Sequence, residues 1–182
     1  MSRREEIIVL GAGVVGMATA LTLAGRGHRV TVVDGAGGPG LGTSFANGAQ
    51  LSYAYTDALA SPSVLRQIPH ILLGLDPALR FQPHLDPDFL RWSIAFLRNC
   101  GAGSFRRNTL AGLALAARSR LALDQLTERH ALEYGQSVPG KIHIYRTAAA
   151  FAAAEAMVAL KRANGTTQTL LDPDAAVALE PM

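Results

Sequence analysis

The sequence predicts an α/β fold: a strand–helix–strand start, then a helical segment, then the opening of a second, mixed-sheet domain. Three observations predict it. Glu6-Ile7-Ile8-Val9-Leu10 is a short, largely apolar run ended by glycine, the pattern of a buried parallel strand. Val14 to about Arg26 is rich in Ala and Leu at helical spacing and closes at Gly27, where a C-cap glycine belongs. Arg29 to Asp34, RVTVVD, brings Val30, Val32 and Val33 into a second strand. Two strands joined by a helix within about thirty residues form a βαβ unit with an expected right-handed crossover.

The later elements follow from start and stop signals. A glycine-rich loop, GAGGPGLGTSFANGAQ, leads into a broken helical region. In LDPDFLRWSIAFLRNC, Asp86 is placed to cap a helix, Pro87 fits its first position, and Asp88 suits the positive end. Phe89, Leu90, Ile94, Phe96 and Leu97 give it a wide apolar face, with Trp92 read as a packing residue. A long helix is expected from about Phe105 to His130, and another from Ala148 to Ala163, closed by Asn164-Gly165. Lys141 to Tyr145, KIHIY, alternates like a half-buried strand, and a short strand is expected near Gln168 to Leu171. Asp172-Pro173-Asp174 repeats the helix-start chemistry of Asp86-Pro87-Asp88.

Composition bounds the function classes. With 182 residues, 49% hydrophobic and 17% charged, the chain is globular and has room for one modest domain or part of something larger. Its net charge of +3 comes mainly from scattered arginines, with only Lys141 and Lys161 as lysines, so no nucleic-acid groove is indicated. The single cysteine, Cys100, excludes an internal disulfide and reads as a small buried hydrophobe at a helix end. His28, His70, His84, His130 and His143 lack metal-ligand spacing, so no metal site is expected. MSRREEIIVLGAG lacks the marks of a secretory leader, and a cytoplasmic location is the expectation.

The chemistry sits in VLGAGVVGMATALTLAGRGHRVTVVD. Gly11, Gly13 and Gly16 form G-x-G-x-x-G between a predicted strand and helix, the context that gives the pattern meaning. Gly11 permits the tight turn, Gly13 lets the backbone approach a diphosphate, and Gly16 lets helix and sheet pack closely. The N–H groups and dipole of the helix start favour that diphosphate. Asp34 ends the second strand 18 residues after Gly16, near the spacing at which a carboxylate meets a ribose 2′-OH. It would repel a 2′-phosphate, leaving FAD or NAD. The loop beyond, with Thr43, Ser44, Asn47, Gly48, Ala49 and Gln50, offers hydroxyls and backbone amides suited to a diphosphate and to the polar edge of a flavin, which favours FAD.

With GTSFANGAQLSYAY and the FLRWSIAFLRNC helix following that motif, the chain resembles the small subunit of D-amino acid dehydrogenase. That enzyme type lies within the D-amino acid oxidase and glycine oxidase superfamily of FAD enzymes. The likeness extends to GKIHIYRT and the final LEP. It implies a Rossmann-like FAD domain and a substrate domain with a mixed sheet, divided here as 1–134 and 135–182, the second incomplete. It implies hydride transfer from the α-carbon of a D-amino acid or related amine to flavin N5. The imine is then hydrolysed, and electrons pass to a quinone or other respiratory acceptor. Peripheral attachment at the inner face of the cytoplasmic membrane is compatible with that.

Carried over by position, the resemblance puts Gly11, Ala12, Gly13, Val14, Val15 and Gly16 along the diphosphate and Asp34 on the adenosine ribose. Thr43 and Ser44 would contact phosphate, and Gly48, Ala49 and Gln50 would approach the flavin. The chain departs from the family pattern in having Gly35 after the ribose acid, Gly42 before Thr-Ser, and Ala49 where glycine is frequent. Tyr53 and Tyr55 read as packing or loop residues, and Asp124 and Glu128 as a solvated helix face. No catalytic acid or base stands out. The chain is expected to be the N-terminal portion of such an enzyme, truncated or frameshifted, inactive alone and aggregation-prone through uncovered apolar faces. The alternatives are an NAD-dependent dehydrogenase fragment and a non-catalytic subunit completing a flavin site with a second chain.

Overall fold

The computed structural model describes residues 3–75, 84 and 86–181. The chain forms two compact units that divide between Leu51 and Ser52.

The first unit is a βαβ start. Strand β1 (Glu6–Leu10) and strand β2 (Arg29–Val33) pair in parallel, with Ile7 opposite Val30 and Val9 opposite Val32. Helix α1 (Val14–Gly25) connects them. Gly27, at φ 90°, turns the chain from α1 into β2, and its N–H bonds to the carbonyl of Ala24. Alternation decides which side chains are covered: Ile7, Val9, Val30 and Val32 are half-buried. Ile8 and Leu10 on the opposite face are 68% and 80% exposed. The fully buried strand expected from the apolar run is therefore corrected to a half-covered one, since α1 is the one helix among the described residues of this unit and shields one face.

The second unit is helical among its described residues: α2 (Pro62–Leu72), α3 (Pro87–Asn99), α4 (Ala102–His130), α5 (Ala148–Arg162) and α6 (Pro173–Leu179). The helix starts follow the sequence chemistry. Asp86 accepts the N–H of Phe89 at 3.1 Å, Thr147 that of Ala150 at 3.2 Å, and Asp172 that of Ala175 at 2.8 Å. Helix α4 begins at Ala102, three residues earlier than its leucine pattern suggests. Trp92 stacks between Phe89 and Phe96 along α3, with centroids 6.1 and 5.3 Å away. Cys100 is fully buried, as a small hydrophobe should be. Arg120 and Asp124 face each other at 3.9 Å on an exposed side of α4.

Two strand expectations are corrected. Residues 141–145 and 168–171 form no strand, and the sheet among the described residues has two strands only. Alternation encodes which side chains prefer cover, but a strand exists only when a neighbouring backbone supplies the ladder, and none among the described residues does so here.

The segment 52–58 is strapped onto this unit instead. Lys161, on α5 and 3% exposed, donates to the carbonyl of Ala54 at 2.9 Å and pairs with Asp57 at 2.8 Å. Thr109, fully buried on α4, accepts the N–H of Ala58 at 3.1 Å. A side chain at Gly112 would come within 3.3 Å of the carbonyl oxygen of Thr56, so this glycine admits the strap against α4. Replacing Lys161 by Met keeps the stem but strands the Ala54 carbonyl and the Asp57 carboxylate. We expect a loss of about 1–3 kcal/mol of unfolding free energy, measured by urea denaturation. Arg129→Met, on an exposed position of α4, is expected to stay near neutral.

Candidate functional site

The turn from β1 into α1 is shaped by what it lacks. Gly11 sits at φ 99°, a left-handed conformation that favours glycine, and its N–H bonds to the carbonyl of Val33 at 2.7 Å. A Cβ on Gly16 would run into the carbonyl oxygen of Gly11. Gly13 has ordinary extended geometry, so space matters there more than φ: a Cβ would come 3.3 Å from Ser44 Oγ. Ala12, between them, is buried, and its carbonyl accepts the N–H of Gly40 at 2.8 Å.

Two side chains complete this corner. Asp34, just past β2, accepts the N–H of Ala12 on Oδ2 at 2.6 Å and that of Ala36 on Oδ1 at 2.8 Å. Ser44 Oγ accepts the N–H of Val14 at 2.9 Å, capping α1 from thirty residues away in sequence. A helix start leaves its first N–H groups without intrahelical partners. Ser44 takes one of them, and those of Val15 and Gly16 follow along the same axis. Val14 and Val15 are 68% and 78% exposed, so the mouth of the helix is open.

The structure thus brings Gly11, Ala12, Gly13, Val14, Gly16, Asp34 and Ser44 to one corner, with Val15 at its rim. Asn47, Gly48, Ala49 and Gln50 form an exposed turn beyond it. Asn47 donates to the carbonyl of Ser44 at 3.2 Å and accepts the N–H of Ala49 at 2.7 Å. Ala49 is held at φ 48°, so the alanine keeps the left-handed backbone that glycine would adopt freely. Thr43 and Gln50 are exposed and make no side-chain hydrogen bond among the described residues. Sequence reading did not foresee that Asp34 would brace the glycine turn or that Ser44 would cap α1. Both are contacts across a loop, which spacing alone does not encode. It also did not single out Lys161. The signal was there in a chain with two lysines among many arginines.

The corner suits a dinucleotide diphosphate in its donor set. It offers a helix start with free N–H groups, a hydroxyl that can still donate its proton, and a Gly13 cradle that a Cβ would narrow. Among the described residues, no group of three or more His, Cys, Asp or Glu is placed to hold a metal ion.

The family described as FAD dependent oxidoreductase, DAO, matches residues 6–182. The chain belongs to that family. It is 44% identical to D-amino acid dehydrogenase 2 of Ralstonia nicotianae, over 97% of this chain and 42% of that protein. It is 38% identical to the D-amino acid dehydrogenase of Phenylobacterium zucineum, over 97% and 41%, and 36% identical to that of Vibrio vulnificus, over 97% and 42%. The chain therefore spans less than half the length of the curated relatives it matches. No solved structure matches it. Membership of an FAD-dependent family weighs against the nicotinamide alternative. Among the described residues, no helix is long and apolar enough to cross a membrane.

Two outcomes follow from this geometry. The Ala12 N–H, and after it that of Ala36, hold the Asp34 carboxyl below the ordinary aspartate value, against a smaller opposing effect of burial. A folded value below the unfolded one means that this group's stabilisation is complete above pH about 4 and is lost as pH falls through the folded value. A carbon-detected NMR titration of the Asp34 carboxyl should find it low, and Asp34→Asn should flatten the acid limb of the stability profile. Gly16→Ala should destabilise by about 1–3 kcal/mol through overpacking against Gly11. Gly42→Ala, in open space, should change little in the same urea melts.

Proposed function

We propose that this chain supplies the dinucleotide end of an FAD-dependent oxidoreductase acting on a D-amino acid or related amine. The observation that carries the reading is the corner at the start of α1: the Gly11–Gly16 turn braced by Asp34 and capped by Ser44. The names of the relatives supply the substrate class.

In this reading Gly13, Val15 and Gly16 hold the FAD diphosphate through backbone N–H groups, and Val14, whose own N–H is taken by Ser44, lies along it. Ala12, buried beneath the turn, fixes the level of the loop. Each Asp34 oxygen retains lone-pair capacity beyond the bond it already accepts, so the carboxylate can receive a ribose hydroxyl while it braces the turn. Ser44 accepts from Val14 and donates its proton to a phosphate oxygen, with Thr43 beside it. The Asn47–Gln50 turn, including Gly48 and Ala49, lies toward the flavin. When bound, FAD provides N5 as hydride acceptor, so an amine can be oxidised to an imine that water then hydrolyses. Under the same reading, residues 1–134 belong to the FAD domain and 135–182 to the substrate domain. Electrons leave to a quinone or other respiratory acceptor, at the inner face of the cytoplasmic membrane. A second polypeptide could complete the fold.

The test is a titration of the chain with FAD, followed by quenching of flavin fluorescence. Saturable quenching that is weakened roughly tenfold or more, about 1.4 kcal/mol, by Gly13→Val would support the assignment. Equal quenching by both proteins would put the diphosphate elsewhere, and saturable binding of NAD but not FAD would favour the nicotinamide reading.

A further inference from the structure

Both lysines of the chain meet the same short strap. Lys161 is the buried one and fixes the backbone of 52–58 from beneath. Lys141 is exposed and meets the strap from a position 89 residues away in sequence: its Nζ donates to Ser52 Oγ at 3.1 Å and lies 4.7 Å from the centroid of the Tyr55 ring. The His143 ring stacks on that same tyrosine, with centroids 5.1 Å apart and planes 25° from parallel.

We infer that Lys141, His143, Tyr55 and Ser52 form a binding site for a small carboxylate, such as the carboxyl end of an amino acid. The choice of an amino acid as ligand rests on the function proposed above. The geometry does not. Lys141 has three N–H donors. One is used on Ser52, and the aromatic face satisfies the charge only partly. Among the described residues, neither Lys141 nor His143 has a carboxylate within ion-pair distance. The nearest acid along the strap, Asp57, is already taken by Lys161. A cationic donor and an imidazole thus share one aromatic platform without an anion.

The platform is also held in place. Tyr55 is 63% exposed, yet its neighbours are anchored: Ala54 and Asp57 by Lys161, Ala58 by Thr109. A recognition group on a pinned backbone keeps its direction, which favours binding over loose surface contact. An exposed cation–ring contact is by itself a weak structural tie, so fold stability alone gives little reason for the cluster. A carboxylate would accept from Lys141 Nζ and from an imidazole N–H, while the tyrosine ring flanks the aliphatic part of the ligand.

The experiment is an NMR titration of the whole chain, without FAD, following the ring signals of Tyr55 and His143. D-alanine, D-alaninamide and potassium chloride are compared at matched ionic strength. The expected result is a saturable shift with D-alanine, none with the amide, and roughly tenfold weaker binding, about 1.4 kcal/mol, in Lys141→Met. Equal shifts with the amide, or equal shifts with chloride (an adventitious ion only), overturn the inference. So does unchanged affinity in a folded Lys141→Met protein. If that variant fails to fold, the wild-type comparison of acid and amide decides alone. Since FAD is absent throughout, failure of dinucleotide binding leaves this result readable. Conversely, a chain that binds FAD but does not tell D-alanine from its amide keeps the first proposal and loses this one.

Discussion

The site depends on one missing atom. With no Cβ on Gly16, α1 can start directly against the carbonyl of Gly11, and that contact sets where the helix leaves the sheet. The other features of the corner follow from that departure. Ala12 is carried into the interior, and its N–H turns to the Asp34 carboxylate at the end of β2. The first N–H groups of α1 emerge where Ser44 can cap one of them. A larger residue at 16 would push the helix off the strand and separate groups that now meet within hydrogen-bond distance. The glycine spacing is thus a packing constraint first, and the diphosphate role proposed for it would build on that packing.

The second unit is organised around a charge. A lysine ammonium at 3% exposure is tolerated only when paired and hydrogen-bonded. Lys161 meets both conditions with Asp57 and Ala54, two residues of a segment that forms no helix or strand of its own. An ion pair therefore stands in for secondary structure in fixing that backbone. The same segment carries Tyr53, whose phenol is pushed up from its ordinary value by burial and then by the Asp124 carboxylate, against the pull of Arg120. Tyr53 so remains a neutral hydroxyl across the ordinary range.

What could be read from the sequence was local. Strand β1, helix α1 and strand β2 follow from runs a few residues long, and Asp86 and Asp172 cap helices because capping acts over three residues. What could not be read depends on partners distant in the chain. Asp34 was legible as an acid at the end of a strand, but not as the brace of the Ala12 turn. Ser44 was legible as a polar loop residue, but not as the cap of α1. The apolar run of β1 promised cover on both faces, and Ile8 and Leu10 show that cover depends on what is packed against the sheet rather than on the strand itself.

The stretch Lys141–Tyr145 makes the same point most sharply. Its alternation is that of a strand, and in a sheet Lys141 and His143 would share one face, two residues apart. No ladder forms, yet these two residues meet one partner, Tyr55, through a cation over its ring and a stacked imidazole. The apolar half of the alternation finds no cover: Ile142 and Ile144 are 39% and 84% exposed. Meeting one aromatic ring needs only that both side chains reach it, while a strand needs a neighbouring backbone as well. The first condition can be met by residues alone, and this segment meets it. A period-two pattern can therefore mark residues that act together on one target even where no strand is made, and this is how Lys141 and His143 come to share the Tyr55 ring.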